Sequence, residues 1–334
     1  MTVNKQAFLL FVIVFLSGFG EAFAQLDTVH RIPPLHARQT QDIEDHHLYL
    51  STPKQQSFQV TITDGAGNPF KNSPYTISNS NPAQIKVGTG QNPSTKLMVT
   101  DDSLGTKLTA KGLVLKARKP FYVNARYRSP AQAGALTSKG LAGHGKEFRA
   151  GFMPQYLAQF RRNFVTSFQA VKDSTHITVK DYDPQVKFES KPNKITANSL
   201  KITLNKGETY VLAGNTDVSA NLRGFLGAKI QSDKPIVVNA GNFTGSIANA
   251  GGQDIGIDQI VPVDKLGTQY ASIEGNGPSS QERPMVLAAF DNTKVYVNNA
   301  TTPDATINAG EWYLIPHNKY QNGSHNNMGI RTSK

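Results

Sequence analysis

The sequence predicts an all-β protein assembled from repeated units of about 118 residues. Three observations lead there. The chain reads as short alternating strands broken by turn residues, it has almost no helical period, and it writes one phrase twice. That phrase is KARKPFYVNARY (Lys116 to Tyr127) and then QSDKPIVVNAGN (Gln231 to Asn242), each a Lys-Pro pair, three strand-forming residues and Asn-Ala.

The first 24 residues stand apart from the fold. Lys5 supplies a positive end, Ala7 to Leu16 is unbroken apolar, and Ala22-Phe23-Ala24 fits the small-x-small cleavage rule. An apolar core of about ten residues is too short to span a bilayer of roughly 30 Å. The expected organisation is a signal peptide over 1–24, cleaved after Ala24, and a β domain over 25–334. The protein is therefore expected to be secreted or cell-surface, and not an integral membrane protein in this part. With no cysteine in the chain, its core must hold it without disulfides, and thiol catalysis and Cys-ligated metals are excluded.

The strands follow in order. In SFQVTITDGAGNPF, Phe58, Val60 and Ile62 alternate with Gln59, Thr61 and Thr63 before a break at Asp64-Gly65. HITVKD (176–181), KITLNKGETYVLAGN (201–215) and TKVYVNN (293–299) behave alike. The single helix candidate is PQYLAQFRRNF, from Pro154 to Phe164, short enough to be a strand entry instead.

These pieces recur. KDSTHITVKD (172–181) answers FDNTKVYVNN (290–299), and ITLNKGETYVL (202–212) answers ATINAGEWYLI (305–315), with Gly207-Glu208 matching Gly310-Glu311. GHGKEFRAGF (143–152) answers KLGTQYASIEG (265–275), and HLYLSTPKQQSFQVTITD is a degenerate copy of NFVTSFQAVKDSTHITVKD. Gly-Glu suits a tight hairpin, and Lys-Pro is expected to open a strand buried on both faces. MGIRTSK aligns with the lead-in to the phrase, so Lys334 falls on the lysine before an expected proline. The sequence is expected to be a fragment whose native chain continues with Pro and a β-branched run. A propeller-like closed array is favoured for the repeats, with tandem β-sandwiches as the alternative.

The formal charge of +11 is concentrated: 103–162 holds twelve Lys or Arg against one acid, Glu147. A basic segment of an exported protein suggests an acidic partner, a sulfated or sialylated glycan, lipopolysaccharide or nucleic acid, or else outward strand positions that happen to be cationic. In KPFYVNARYR (Lys119 to Arg128) aromatics interleave with cations, and Tyr122, Tyr127, Arg126 and Arg128 could form a stacking, cationic surface. Glycines near GHGKE could cradle an anion with Lys139, Lys146 and Arg149, although a plain turn is the simpler reading. The possible contact surface is thus Tyr122, Arg126, Arg128, Lys146 and Arg149.

Other clusters are weaker. In DIEDHH (Asp42 to His47), adjacent His46 and His47 on a strand point to opposite faces and cannot share a metal without a bulge. DGAGN (64–68) and GGQDIGID (251–258) have calcium-loop composition without the full acid pattern. Asn242, Asn299 and Asn322 head glycosylation sequons. No hydrolase elbow, zinc-protease, Walker or Rossmann pattern is present, and neither a catalytic residue, a metal nor a cofactor is expected.

Taken in order, IPPLHARQT, HLYLSTP, VTITDG, LTSKGLAGHGKEFRAGF, SDKPIVVNAGN and DIGIDQIVPVDKLGTQY resemble the IgGFc-binding protein N-terminal domain family over about Arg31 to Lys334. They are most similar to its versions in large Bacteroidota surface proteins of the type IX secretion and gliding-motility-associated kind. The resemblance implies an exported, non-enzymatic adhesion module that contacts glycan, mucin or another extracellular protein, with no nucleic acid expected. A polysaccharide-acting hydrolase with spatially assembled acids, and a spacer within a larger surface protein, are the alternatives.

Overall fold

The computed structural model describes residues 25–334 except 39–42, 91, 93, 159–161, 191–194, 196, 248–251 and 324. The expected signal peptide lies outside the described residues. No α-helix is present among them. The candidate helix is not formed: its described part is irregular until Asn163 enters a strand.

The first unit contains β1 (Asp27–Ile32), β2 (Asp45–Ser51), β3 (Phe58–Asp64), β4 (Tyr75–Ile77), β5 (Ala83–Thr89), β6 (Leu113–Ser129) and β7 (Gln132–Thr137). The second repeats them as β8 (Gly145–Arg149), β9 (Asn163–Ala170), β10 (Thr175–Lys180), β11 (Leu200–Leu204), β12 (Thr209–Asn215), β13 (Lys229–Gly245) and β14 (Asp254–Gln259). The third runs through β15 (Gln269–Ile273), β16 (Met285–Leu287), β17 (Thr293–Val297), β18 (Ala305–Ile307), β19 (Trp312–Leu314) and β20 (Asn327–Thr332).

Each complete unit is organised by one 17-residue strand, β6 or β13, which serves two sets of partners in turn. The first part of β6 pairs with β1 and β3, and its second part pairs with β2 and β7. β13 does the same with β8 and β10, then with β9 and β14. The irregularity between the two parts is identical: Lys116 to Phe121 on β6 faces Val29 to Asp27, and Gln231 to Ile236 on β13 faces Glu147 to Gly145.

The repeated Lys-Pro sits at that corner and does not open a strand as expected. Proline is tolerated where the strand hands over from one set of partners to the other, because no ladder bond is asked of its nitrogen there. The turn chemistry repeats bond for bond. Asn205 N donates to Glu208 Oε2 at 2.7 Å and Asn308 N to Glu311 Oε2 at 2.8 Å. Lys206 N donates to Asp173 at 2.9 Å and Ala309 N to Asp291 at 3.0 Å.

The units interlock in a row. Val165, Val211, Ala213, Phe243, Ile255 and Ile257 of the second unit share one buried cluster with Leu35, Leu97 and Val99 of the first. Met285 and Trp312 of the third pack likewise on the core of the second. Glycine is required at this seam: Gly207 has φ +85°, and a Cβ there would lie 2.0 Å from the Gly65 carbonyl oxygen. All-β repeats are thus as the sequence predicts, while the arrangement among the described residues is a row of units with shared cores and not a set of radial blades.

Candidate functional site

The outer face of the sheet made by β5, β2, β6 and β7 carries an open basin of about 850 Å³. β2 contributes Asp45, His47 and Tyr49, β6 contributes Arg126 and Arg128, and Ala133, Gly134 and Ala135 of β7 form an apolar wall. Strand alternation puts these side chains together, since His47 lies opposite Arg126 and Tyr49 opposite Asn124 in the ladder.

At its centre the Arg126 guanidinium lies 4.5 Å from the centroid of the Tyr49 ring. Arg126 Nε donates to Asn124 Oδ1 at 3.0 Å, and Asn124 in turn donates to the Leu136 carbonyl at 3.2 Å and to Thr137 at 3.0 Å. This chain of bonds fixes the guanidinium plane through Nε and leaves the two terminal nitrogens facing the basin. At the rim, Arg128 Nε pairs with Glu44 at 2.7 Å, and Lys86 with Asp45 at 2.6 Å. Lys86 first, and then the Thr89 hydroxyl, hold the Asp45 carboxyl below the usual carboxylate range.

Below the basin, on the inner side of the sheet, His46 stacks on Tyr127 with centroids 5.8 Å apart. Burial keeps His46 neutral, with its pKa lowered to about 4, and pushes the Tyr127 hydroxyl upward. Tyr127 is therefore core, packed edge-on against Phe243, and does not belong to a surface with Arg126.

The other predicted contact residues are dispersed. Tyr122 is 38% exposed on the outward row of β6 that includes Arg126. Lys146 is exposed on β8 of the second unit. Arg149, on the same strand, donates to the Gly227 carbonyl at 3.2 Å and the Ala289 carbonyl at 3.4 Å, joining the second unit to the third. Burial also removes Lys111 from the basic face: it caps the carbonyls of Asn92, Thr95 and Met98, and desolvation lowers its pKa to about 8.

The glycine turn does not await an anion. Asp27 Oδ2 already accepts from Leu141 N at 2.7 Å, beside Gly140 at φ +57°. In DGAGN, Asp64 accepts from Ala66 N and Asn68 N, both at 3.0 Å, and pairs with Lys96 at 2.9 Å, which makes it a turn cap. No cluster of three metal-ligating residues occurs among the described residues. Of the sequons, Asn242 is fully buried and closed to modification.

Sequence reasoning missed His47 and Tyr49 as neighbours of Arg126, and Glu44 as the partner of Arg128. The signal was the alternation of DHHLYLS, which places Asp45, His47 and Tyr49 on one face.

Comparison with known families matches residues 136–333 to the one described as IgGFc binding protein. The match covers the second and third units. This chain belongs to the IgGFc-binding protein family. Searches of curated proteins and of solved structures found no match. Within this family member the basin lies on the unit that precedes the matched segment. No helix among the described residues is long and apolar enough to cross a membrane.

Proposed function

We propose that this chain is a non-catalytic extracellular binding module that holds an acidic group of a glycan or protein ligand in the basin of its first unit. The observation that carries this reading is the Arg126–Tyr49 stack, open to solvent and braced from behind by Asn124. A braced guanidinium offers two parallel N–H donors to a carboxylate or sulfate, and its fixed plane lowers the ordering cost. The apolar wall of β7 suits the ring face of a sugar or an aliphatic side chain. The test is binding of residues 25–334 to mucins, acidic glycans and immunoglobulin Fc at low and high salt, with Arg126→Ala alongside. Salt-sensitive binding that weakens at least about tenfold in the variant supports the reading. Equal binding by both proteins overturns it.

A second reading has one specific observation in its favour. Arg128–Glu44 and Lys86–Asp45 neutralise most of the rim internally, as expected of a solvated face that meets no ligand. On that reading the protein is a spacer, and no member of the panel binds.

A further inference from the structure

The third unit contains an edge that the other two units cover. In the second unit, β9 is flanked by β12 on one side and the later part of β13 on the other. In the first, β2 is flanked in the same way by β5 and β6. β16 corresponds to β9 and pairs with β19, which corresponds to β12. Among the described residues its other edge has no partner strand, and the β16–β19 pair forms a separate two-stranded sheet. β20 matches the first part of β13: it pairs with β15 and β17 as β13 pairs with β8 and β10.

The register of the open edge is determined. Ala288 N donates to the Glu311 carbonyl at 2.9 Å, as Ala170 N does to the Glu208 carbonyl at 3.1 Å. In an antiparallel ladder successive amides point to opposite sides, so Leu287 and Ala289 face the open edge. Their counterparts Gln169 and Val171 face β13, and Val171 N donates to the carbonyl of Pro235 at 3.2 Å. Beside this edge, between β16 and β20, runs a groove of about 260 Å³ lined by Val263, Leu266, Tyr270, Val286, Phe290 and Ile330. Leu266, Tyr270 and Phe290 are 43%, 46% and 46% exposed.

We infer that this groove is a strand-acceptor site, and that its occupant is an extended segment with the chemistry of the Lys-Pro phrase. The occupant is specified by the two filled examples: an antiparallel strand with proline at the corner, alternating apolar residues over the groove, and Asn-Ala beyond. Its proline carbonyl accepts from Ala289 N as that of Pro235 accepts from Val171 N. This is strand addition, in which main-chain bonds give affinity and side-chain pockets give specificity. It does not depend on the basin.

The experiment adds the nonapeptide KPIVVNAGN, the sequence of residues 234–242, to the protein of residues 25–334. Amide hydrogen exchange is read, together with emission from Trp312, the sole tryptophan, which packs beside β16. The expected result is exchange slowed at least about tenfold at Leu287 and Ala289, a blue-shifted Trp312, and no change over Leu48–Leu50. A peptide N-methylated at alternate residues should do nothing. As a second arm, the same residues joined directly after Lys334 should give the same protection without added peptide. Protection by a scrambled peptide, or absence of protection in both arms, overturns the inference. Concentration-dependent protection without any peptide also overturns it, since the occupant would then be a second copy of the chain.

Discussion

The second parts of β6 and β13 are the same strand in two surroundings. On β6 the outward row reads Tyr122, Asn124, Arg126, Arg128, and none of the four is buried, whereas the residues between them are. On β13 the matching row reads Val237, Asn239, Gly241, Phe243, and every position is buried. The neighbouring strands agree: His47 and Tyr49 on the first sheet stand where Val165 and Ser167 stand on the second. The cause is the neighbour each sheet meets. The second unit presents its row to the first unit's core, and its amides serve backbone groups there: Asn239 donates to the Pro33 carbonyl at 2.8 Å, and Gln259 to the Arg31 carbonyl at 2.8 Å. The first unit's row faces water, so it can keep charged groups available for a ligand. One backbone plan thus yields a seam in one place and a candidate site in the other.

Exchanging the two rows should break the symmetry most severely from the buried side. Phe243→Arg places a charge in the shared core against Tyr127 and should cost about 4 kcal/mol or more, seen in urea unfolding or as insoluble protein. The reverse change, Arg128→Phe, should stay within about 1 kcal/mol, because its pair with Glu44 is solvent-exposed.

Acid should separate the units next. His46 stands where the second unit has Phe164, and burial holds its pKa near 4 against an ordinary 6.5. The unfolded chain then binds the extra proton between those values. Stability is therefore full above pH 6.5, falls as pH drops through the window, and levels off below about 4. The share of the loss due to His46 should be on the order of 3 kcal/mol, and His46→Phe should make that limb shallower between pH 7 and pH 5, leaving the part due to buried His144 and His30.

The seam itself can be probed with one methyl group. Gly207→Ala drives a Cβ into the Gly65 carbonyl at positive φ and should cost about 1–3 kcal/mol, whereas Gly151→Ala, with open space around it, should be near neutral. The smallest effect on stability belongs to the basin: Arg126→Ala should change unfolding by no more than about 1 kcal/mol.

The repeat was legible because hairpin chemistry and strand alternation are local, and Gly207-Glu208 and Gly310-Glu311 do the same work. The seam was not. Alternation already puts Tyr127 on the face of Phe121 and Val123 and Arg126 on the other, but which face is covered, and by Phe243 of the next unit, is settled only once the units are in place. The proline corner was misread for a related reason: strand entry and handover between sets of partners both leave the proline nitrogen unpaired. Twelve basic residues in one segment read as a patch, yet the fold buries Lys111, sends Arg149 to the far seam and pairs Arg128 and Lys139 with carboxylates.

The most direct test of the central claim, that the water-facing row of the first unit is the contact surface, is a binding comparison of the wild-type protein with Arg126→Ala and Lys146→Ala. All three should be measured against the same mucin, acidic glycan and Fc panel at two salt concentrations. Arg126→Ala should lose the salt-sensitive binding while Lys146→Ala, on the second unit, should retain it. Equal loss in both variants, or loss in Lys146→Ala alone, would place the contact elsewhere and contradict that claim.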